Sequence, residues 1–444
     1  MRDNLSIPLD PEKTKFLRIL WCDNGNVIRG KAVHTGRLAD YVEHGVGISA
    51  AQQAVPATAD APAPGSGFGP VGEVRLVPDF TTFTVLPYAP AHARVMGDMM
   101  RDGKPWPLCP RHFLKRMTAA AAEAGLEVKA AFENEFYLLK PASDGYAPID
   151  DTPFASSLSM DLNMEVIDAI VAALVDQGIA VEQYYPESGP GQHEISILYT
   201  NGLCAADRQI AFRETVRAVA LRHGLSASFL PKIFPDKSGS GCHLHLSLWA
   251  GDENLVPGST HFGQLSATAG SFMAGILHHL PALMAMTTPS TNSFRRIRPH
   301  CWSGAFRCWG FDNREAAIRV PTHPEPPSPS HFEIKTVDAS ANPYIALGGI
   351  IAAGLDGIFQ KVQLPEPVSV DPGDLTETER AERGIDPLPT LLGDSIARFE
   401  RDHVLLNALG PDLAKAYLAV RKAEWEALKD WPHEMEVRLL LDRY

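Results

Sequence analysis

The sequence predicts an α+β protein with a small, mostly β domain over residues 1–105 and a large catalytic-sized domain over residues 106–444. Three observations carry this. Two β-rich stretches (residues 15–35 and 74–87) fall in the first hundred residues without a helical pattern between them. From Pro110 onward helix-like and strand-like runs alternate, as in an α/β or α+β unit built on one sheet. The chain has 444 residues, 45 % of them hydrophobic and 21 % charged, which is enough for two such units with a real core.

Taken in order, KFLRILWCDNGNVIRGKAVHT reads as a hairpin turning on Asn24-Gly25, a strong two-residue turn signal. Residues 50–70 are rich in Ala, Pro and Gly without periodicity and read as a loop. VRLVPDFTTFTVLP is extended. RHFLKRMTAAAAEAGLE is a helix ending near Gly125, and VKAAFENEFYLLK is a strand. DLNMEVIDAIVAALVDQG spaces Met164, Ile167, Ile170, Val171 and Leu174 as a helix does. The strand run IAVEQYYPE follows, then the helix ADRQIAFRETVRAVALRHG, then the extended runs SASFLPKIF and CHLHLSLWA. Residues 365–390 read as a polar loop, and the last fifty residues as helical.

The formal charge is −13, from 40 basic and 53 acidic residues. Phosphate backbones need a basic face, so nucleic acid is excluded as the main partner. No apolar run reaches the roughly 18 residues that cross a bilayer, and MRDNLSIPLDPEKTKF lacks the apolar core of a leader. A soluble, cytoplasmic protein is expected. The six cysteines are scattered and form no Cys-x-x-Cys, which argues for reduced thiols over a disulfide frame or zinc knuckle.

The chemistry is written in charged residues that interrupt β-runs. In Phe-Glu133-Asn-Glu135-Phe the two carboxylates point to one face of a strand, where they repel unless the face is solvated or a cation sits between them. In Cys242-His243-Leu244-His245-Leu246-Ser247-Leu248 the two histidines and Ser247 share a face opposite the leucines, directly after the small loop Lys237–Gly241. Glu187 and Glu194 bracket a tight Pro-Gly turn. Asn292-Ser-Phe-Arg-Arg296 and Asn313-Arg314-Glu-Ala-Ala-Ile-Arg319 supply guanidinium groups, whose planar fork suits carboxylates and phosphates. Glu333 and Lys335 share one strand face. An oxygen-rich set with one or two imidazoles fits Mg²⁺ or Mn²⁺ better than zinc. Divalent ions beside arginines are what a nucleoside triphosphate requires. No GxxxxGK[ST] and no strand–GxGxxG–helix is present, which argues against P-loop and Rossmann sites.

These residues resemble the glutamine synthetase family over nearly the whole chain. The blocks FENEF, PGQHEI, SGSGCHLHLSL, NSFRR, DNREAAIRVP and FEIKTVDASANPYIALGGIIAAGLDGI stand in the family's order. The resemblance implies a β-grasp N-terminal domain and a larger glutamine-synthetase-type catalytic domain. It also implies a homo-oligomer, a dodecamer of two stacked hexameric rings with active sites between neighbouring subunits. The implied reaction is an ATP-dependent carbon–nitrogen ligation: ATP phosphorylates the γ-carboxylate of L-glutamate, and an amine then displaces phosphate.

By the same resemblance, Glu135, Glu187 and Glu194 are expected to hold the metal on the glutamate side. Glu133, His243 and Glu333 are expected to hold metal at the nucleotide phosphates, with two or three Mg²⁺ or Mn²⁺ per site and ATP as co-substrate. His245, Ser247 and Lys335 belong with the nucleotide. Arg296 and Gly239 belong with the glutamate α-carboxylate and amino group, and Arg314 and Arg319 with the transferring phosphoryl group.

Two departures concern the amine. Ammonium-using members carry an aspartate in a GxGFDGSS-like stretch, where this chain reads Gly45-Val-Gly47-Ile48-Ser49, placing Ser49 at the acid's position. They also carry a flap glutamate six residues after the substrate arginine, where counting from Arg296 lands on Trp302. Ser238 for Asn and Lys335 for Arg are milder changes. Losing two anionic groups weakens NH₄⁺ binding, while an indole face suits an alkylammonium. The expected function is a γ-glutamyl-amine ligase using methylamine; the alternatives are glutamine synthesis from ammonium, or a ligase for a larger amine such as ethanolamine, a polyamine or isopropylamine. Glu43, His44 and His300 are the candidate proton acceptors.

Overall fold

The computed structural model describes residues 9–10, 12–143, 145–258, 264–324 and 327–444. Residues 1–8, read above as part of a start without an apolar leader, lie outside the described residues. The small domain contributes β1 (Phe16–Cys22), β2 (Ile28–His34), β3 (Val46–Ser49), β4 (Glu73–Val85), β5 (His92–Arg101) and β6 (Lys104–Pro105). The large domain opens with α1 (Pro110–Glu123), β7 (Glu127–Ala142), β8 (Gly145–Pro148), α2 (Ser157–Val175), β9 (Val181–Pro186), β10 (Gln192–Ile197) and β11 (Thr200–Asn201). Then come α3 (Gly202–Arg222), β12 (Ser226–Ser228), β13 (Cys242–Ala250), β14 (Glu253–Asn254), α4 (Ala267–Thr287) and α5 (Ser293–Arg296). The remaining strands are β15 (Phe306–Phe311), β16 (Ala316–Val320), β17 (Thr322–Pro324), β18 (Pro327–Pro329) and β19 (Phe332–Ile334). The chain closes with α6 (Pro343–Phe359), α7 (Glu377–Glu382), β20 (Asp386–Pro387), α8 (Leu392–Phe399), α9 (His403–Leu409), α10 (Pro411–Leu428) and α11 (His433–Leu440).

The first sheet runs β2-β1-β5-β4-β3, with β1 and β5 parallel at its centre and β6 on β5. Two 3-10 turns follow the hairpin, at Thr35–Asp40 and at Ala50–Ala54, the second inside the stretch read as loop. The hairpin itself differs from the sequence reading. The last pair is Cys22 with Ile28, so five residues make the connection. Asp23 organises it: its carboxylate accepts from the Val27 amide at 3.0 Å and its carbonyl from the Asn26 amide at 3.0 Å. Tertiary docking overrides the two-residue turn, because the Asn24 carbonyl accepts from Arg421 of α10 and the Gly25 carbonyl from Tyr444, past the end of α11.

The second sheet runs β20-β15-β16-β19-β13-β7-β10-β9. One face is apolar: Leu244, Leu246 and Leu248 are buried, as are Val128, Ala130 and Phe132 on β7, in the core that α1, α3, α4 and α6 cover. The opposite face carries the charged residues. Helices α4 and α6 cross at glycine: a Cβ on Gly275 would lie 2.7 Å from Gly357 Cα. Two expectations are corrected here. Helix α4, at 21 residues and mean hydropathy 1.2, is long and apolar enough to cross a membrane, but 78 % of that window is buried inside the fold. The 365–390 stretch is not all loop, because Thr376 and Glu379 close a capping box that starts α7.

His279 of α4 ties three helices together. Its Nδ1 lies 2.6 Å from Asp402, the N-cap of α9, and its Nε2 3.2 Å from Asp356 of α6. Burial opposes its charge, but the two carboxylates win and raise its pKa above the ordinary 6.5. A raised histidine stabilises fully below its unfolded pKa and loses that contribution as pH rises through the folded one. His279→Gln is therefore expected to lower Tm more at pH 6 than at pH 9. Equal losses at both pH values in a thermal melt would show that the ion pairs contribute nothing.

Candidate active site

The sheet register lays the charged face out as a row. Glu194 of β10 pairs with Glu135 of β7; Glu133 of β7 pairs with His243 of β13; His245 pairs with Glu333 of β19; Glu333 pairs with Arg319 of β16. Side chains two apart on one strand share a face, so neighbouring strands converge on a strip two clusters long. In the first cluster His243 Nδ1 is 2.9 Å from Glu133 Oε2 and 3.0 Å from Glu333 Oε1. In the second, the carboxylates of Glu135, Glu187 and Glu194 offer oxygens within 4.8 Å of one another. His243 Nε2 faces Glu135 Oε1 across 3.9 Å, joining the two.

Electrostatics divides them. Burial opposes charge on Glu133 and Glu333, yet His245 and His243 hold Glu133 far below the usual carboxylate range, and Lys335 with His243 does the same for Glu333. Burial and the Lys335 charge work against a proton on His243, but its hydrogen bonds to Glu133 and Glu333 raise its pKa. The all-acid cluster goes the other way. Burial pushes Glu135 up to about 7, and burial with repulsion from Glu133, Glu135 and its other acidic neighbours pushes Glu194 up to about 10. A cation placed between Glu135 and Glu194 would offset the repulsion that keeps both protonated.

The residues fit divalent metal ions on the structure's own terms. His243 Nε2 is buried and has no hydrogen-bond partner. A Cβ on Gly241 would sit 2.4 Å from that nitrogen and 3.1 Å from Glu135 Oε1, so the glycine keeps open the space on which both clusters converge. Five carboxylates and one imidazole are a hard, oxygen-dominated donor set. Gly241→Ala is expected to weaken Mn²⁺ binding about 10- to 100-fold with the fold intact, read by isothermal titration; unchanged affinity would mean the ion lies elsewhere.

Surrounding residues hold the donors in place. The Gly241 amide donates to Glu135 Oε2 at 3.0 Å, and Gln192 Nε2 donates to the same oxygen at 3.2 Å and to the Gly239 carbonyl at 3.0 Å. Tyr185 donates to Glu187 at 2.7 Å. Lys335 is buried with its Nζ 3.1 Å from Glu333, and Arg319 Nε lies 2.6 Å from the other oxygen of Glu333. Arg296 is buried, donates to the Lys335 and Val337 carbonyls, and packs where a Cβ on Gly239 would be, at 2.6 Å.

A cavity of about 440 Å³ opens beside the first cluster, lined by Glu133, His245 and Ser247 together with Lys129, Tyr199, Trp249 and His331. Tyr199 stacks on Trp249 at 6.3 Å between ring centres, and the Lys129 ammonium lies 3.9 Å over the Trp249 ring. Sequence reasoning missed these three; the signal available was an aromatic at the end of the His-bearing strand.

Three predicted residues stand apart from the row. Arg314 is exposed and lies 5.3 Å over the Trp302 ring, because the turn before β16 points it at the flap and away from Glu333. Trp302 is 53 % exposed, with a left-handed backbone at φ 51°, a conformation that costs a β-carbon-bearing residue about 1–2 kcal/mol. Ser49 ends the edge strand β3 opposite Glu73, and among the described contacts of one chain none links it to the carboxylates. Among the candidate proton acceptors, His300 is exposed and pairs with Asp371 at 3.0 Å. Glu315 was also missed: it is buried, and its Oε1 accepts from the Trp302 amide at 2.7 Å.

Comparison with known proteins identifies the family. The family description "Glutamine synthetase, catalytic domain" matches residues 107–440, and "Glutamine synthetase N-terminal domain" matches residues 9–106. A gamma-glutamylpolyamine synthetase of Streptomyces coelicolor is 40 % identical over 415 residues, covering 91 % of this chain and 88 % of that protein. A type-1 glutamine synthetase of Dictyostelium discoideum is 34 % identical over 458 residues, covering 97 % and 90 %. Among solved structures, a GmaS–ADP complex superposes with a TM-score of 0.85 at 31 % identity, covering 100 % of both chains. The chain therefore belongs to the glutamine synthetase family and is an ATP-dependent carbon–nitrogen ligase of that type.

Proposed function

We propose that this enzyme joins the γ-carboxylate of L-glutamate to an alkylamine, methylamine above others, giving γ-glutamylmethylamide through a γ-glutamyl phosphate. The observation that carries the amine is the residue pattern itself: Trp302 stands six residues after Arg296, where ammonium-using relatives place a glutamate, and Ser49 stands where they place an aspartate. An indole and a hydroxyl attract a bare ammonium ion less than two carboxylates do, and favour a cation that carries methyl groups. The likeness to GmaS, a γ-glutamylmethylamide synthetase, supports the same choice. The 40 % identity to a gamma-glutamylpolyamine synthetase favours a second reading, a polyamine.

In this proposal Glu135, Glu187 and Glu194 hold one Mg²⁺ or Mn²⁺, and Glu133, His243 and Glu333 hold one or two more. The ions supply charge neutralisation for phosphoryl transfer. His245 and Ser247 face the triphosphate, and the adjoining cavity takes the nucleoside, with Trp249 and Tyr199 offering a stacking surface. Arg296, braced by Gly239, receives the glutamate α-carboxylate. Arg319 steadies the transferring phosphoryl group, and Lys335 restrains Glu333. Arg314 reaches the same group by leaving Trp302. Ser49 completes a site only from an adjacent copy, which fits a ring oligomer, a dodecamer of two stacked hexamers.

A phosphate-release assay with ATP, glutamate and Mg²⁺ over a panel of amines tests the reading. Methylamine is expected to give the highest kcat/KM. Ammonium matching it would return the enzyme to glutamine synthesis, and putrescine or spermidine exceeding it would select the polyamine reading.

A further inference from the structure

The segment from Arg298 to Gly304 is a turn held from three sides. Ser303 Oγ closes its base, accepting from the Arg298 amide at 2.9 Å and donating to the Arg298 carbonyl at 2.8 Å. Two of its β-carbon-bearing residues, His300 and Trp302, have left-handed backbones at φ 59° and 51°. Such conformations persist only where surrounding contacts over-determine them. At Trp302 the contact is Glu315, whose Oε1 accepts from the Trp302 amide at 2.7 Å and whose Oε2 is buried without a partner. At His300 it is Asp371, 3.0 Å from Nδ1, on a loop so close that a Cβ on Gly373 would meet the imidazole at 2.8 Å. The Arg314 guanidinium lies over the indole, covering one ring face.

Glu315 therefore has a use that does not depend on meeting substrate. It stands immediately before β16, the strand that carries Arg319 to Glu333, so it links the flap to the same sheet that positions the phosphoryl-transfer residues. We propose that Glu315 is a positioning residue: its hydrogen bond to the Trp302 amide holds the indole at the mouth of the amine pocket, while the His300–Asp371 pair holds the other shoulder of the turn. This rests on the reading above that Trp302 faces the amine.

The test joins hydrogen exchange of the 298–304 peptide with steady-state kinetics. Glu315→Ala is expected to speed exchange of that peptide about tenfold with the rest of the sheet still protected. It is also expected to raise KM for methylamine about fivefold, with KM for glutamate within about twofold of the parent. Glu315→Gln keeps a carbonyl acceptor for the Trp302 amide and is expected to rescue both readouts. Unchanged exchange in Glu315→Ala, or a Gln variant as damaged as the Ala variant, overturns the proposal. Should Glu315→Ala fail to fold, Asp371→Ala gives the same reading from the other shoulder: faster exchange over 298–304 supports the latch, and unaltered exchange overturns it. Faster exchange in Glu315→Ala alongside an unaltered methylamine KM in Trp302→Ala supports the latch and brings down only the amine role of Trp302.

Discussion

Glu194→Gln is expected to cut activity at least about 100-fold while raising the Tm of the metal-free protein by about 2–5 °C. The two effects have one cause. Glu135, Glu187 and Glu194 are brought within 4.8 Å of one another, and burial with mutual repulsion raises Glu135 to about 7 and Glu194 to about 10. A carboxylate raised in the folded state binds more protons there than in the unfolded chain, so stability falls as pH rises from the ordinary carboxylate range toward the folded value. Glutamine removes that penalty and one metal-binding oxygen together. Added Mg²⁺ should raise the Tm of the parent much more at pH 8 than at pH 5, and should raise that of Glu194→Gln less at either pH. If Glu194→Gln melts lower than the parent in EDTA, the cluster is a structural network and not a strained metal site.

The two carboxylates of the first cluster behave with the opposite sign. Despite burial, Glu133 and Glu333 are depressed by the imidazoles and Lys335, so their contribution is present at neutral pH and is lost only as pH falls through their folded values. Glu133 and Glu333 thus respond to pH in a lower window than the all-acid cluster. A melt series in EDTA between pH 5 and 9 reads the all-acid cluster together with the raised imidazoles of His243 and His279, so the Glu194→Gln difference at each pH isolates the cluster.

Much of this row was legible because strand periodicity is two: alternation alone puts Glu133 with Glu135, and His243 with His245 and Ser247, on a face opposite the leucines. Register was not legible. That His243 lies opposite Glu133, and His245 opposite Glu333, depends on how three strands far apart in sequence pair, which no local pattern encodes. The Asn24-Gly25 signal failed because contacts with Arg421 and Tyr444, some four hundred residues away, outweigh turn propensity. Glu315 escaped notice for a related reason: inside an arginine-bearing block it reads as a surface acid, and only the fold buries it under the flap. Ser49 shows the opposite limit. Its position was found from a family pattern, and a single chain leaves it at a sheet edge.

Replacing the flap residue gives the second large effect. Trp302→Ala is expected to lower kcat/KM for methylamine about tenfold, from the loss of a cation–π surface worth about 0.5–2 kcal/mol together with the apolar contact of the methyl group. KM for glutamate should stay within about twofold, because Arg296 is held by the Lys335 and Val337 carbonyls and not by the flap. Trp302→Glu makes the complementary test by restoring an anion: turnover with ammonium should rise, and rise further when combined with Ser49→Asp in a neighbouring subunit's strand. Arg314 sharpens this contrast. It lies over one face of the indole, so losing the ring frees a guanidinium whose charge repels any cationic amine, whereas a glutamate at 302 can pair with it. Because Arg314 is assigned to the transferring phosphoryl group, Trp302→Ala combined with Arg314→Ala is expected to lower kcat with every amine alike. Recovery of methylamine affinity at an undiminished kcat would take Arg314 out of phosphoryl transfer and leave it as a guard on the indole.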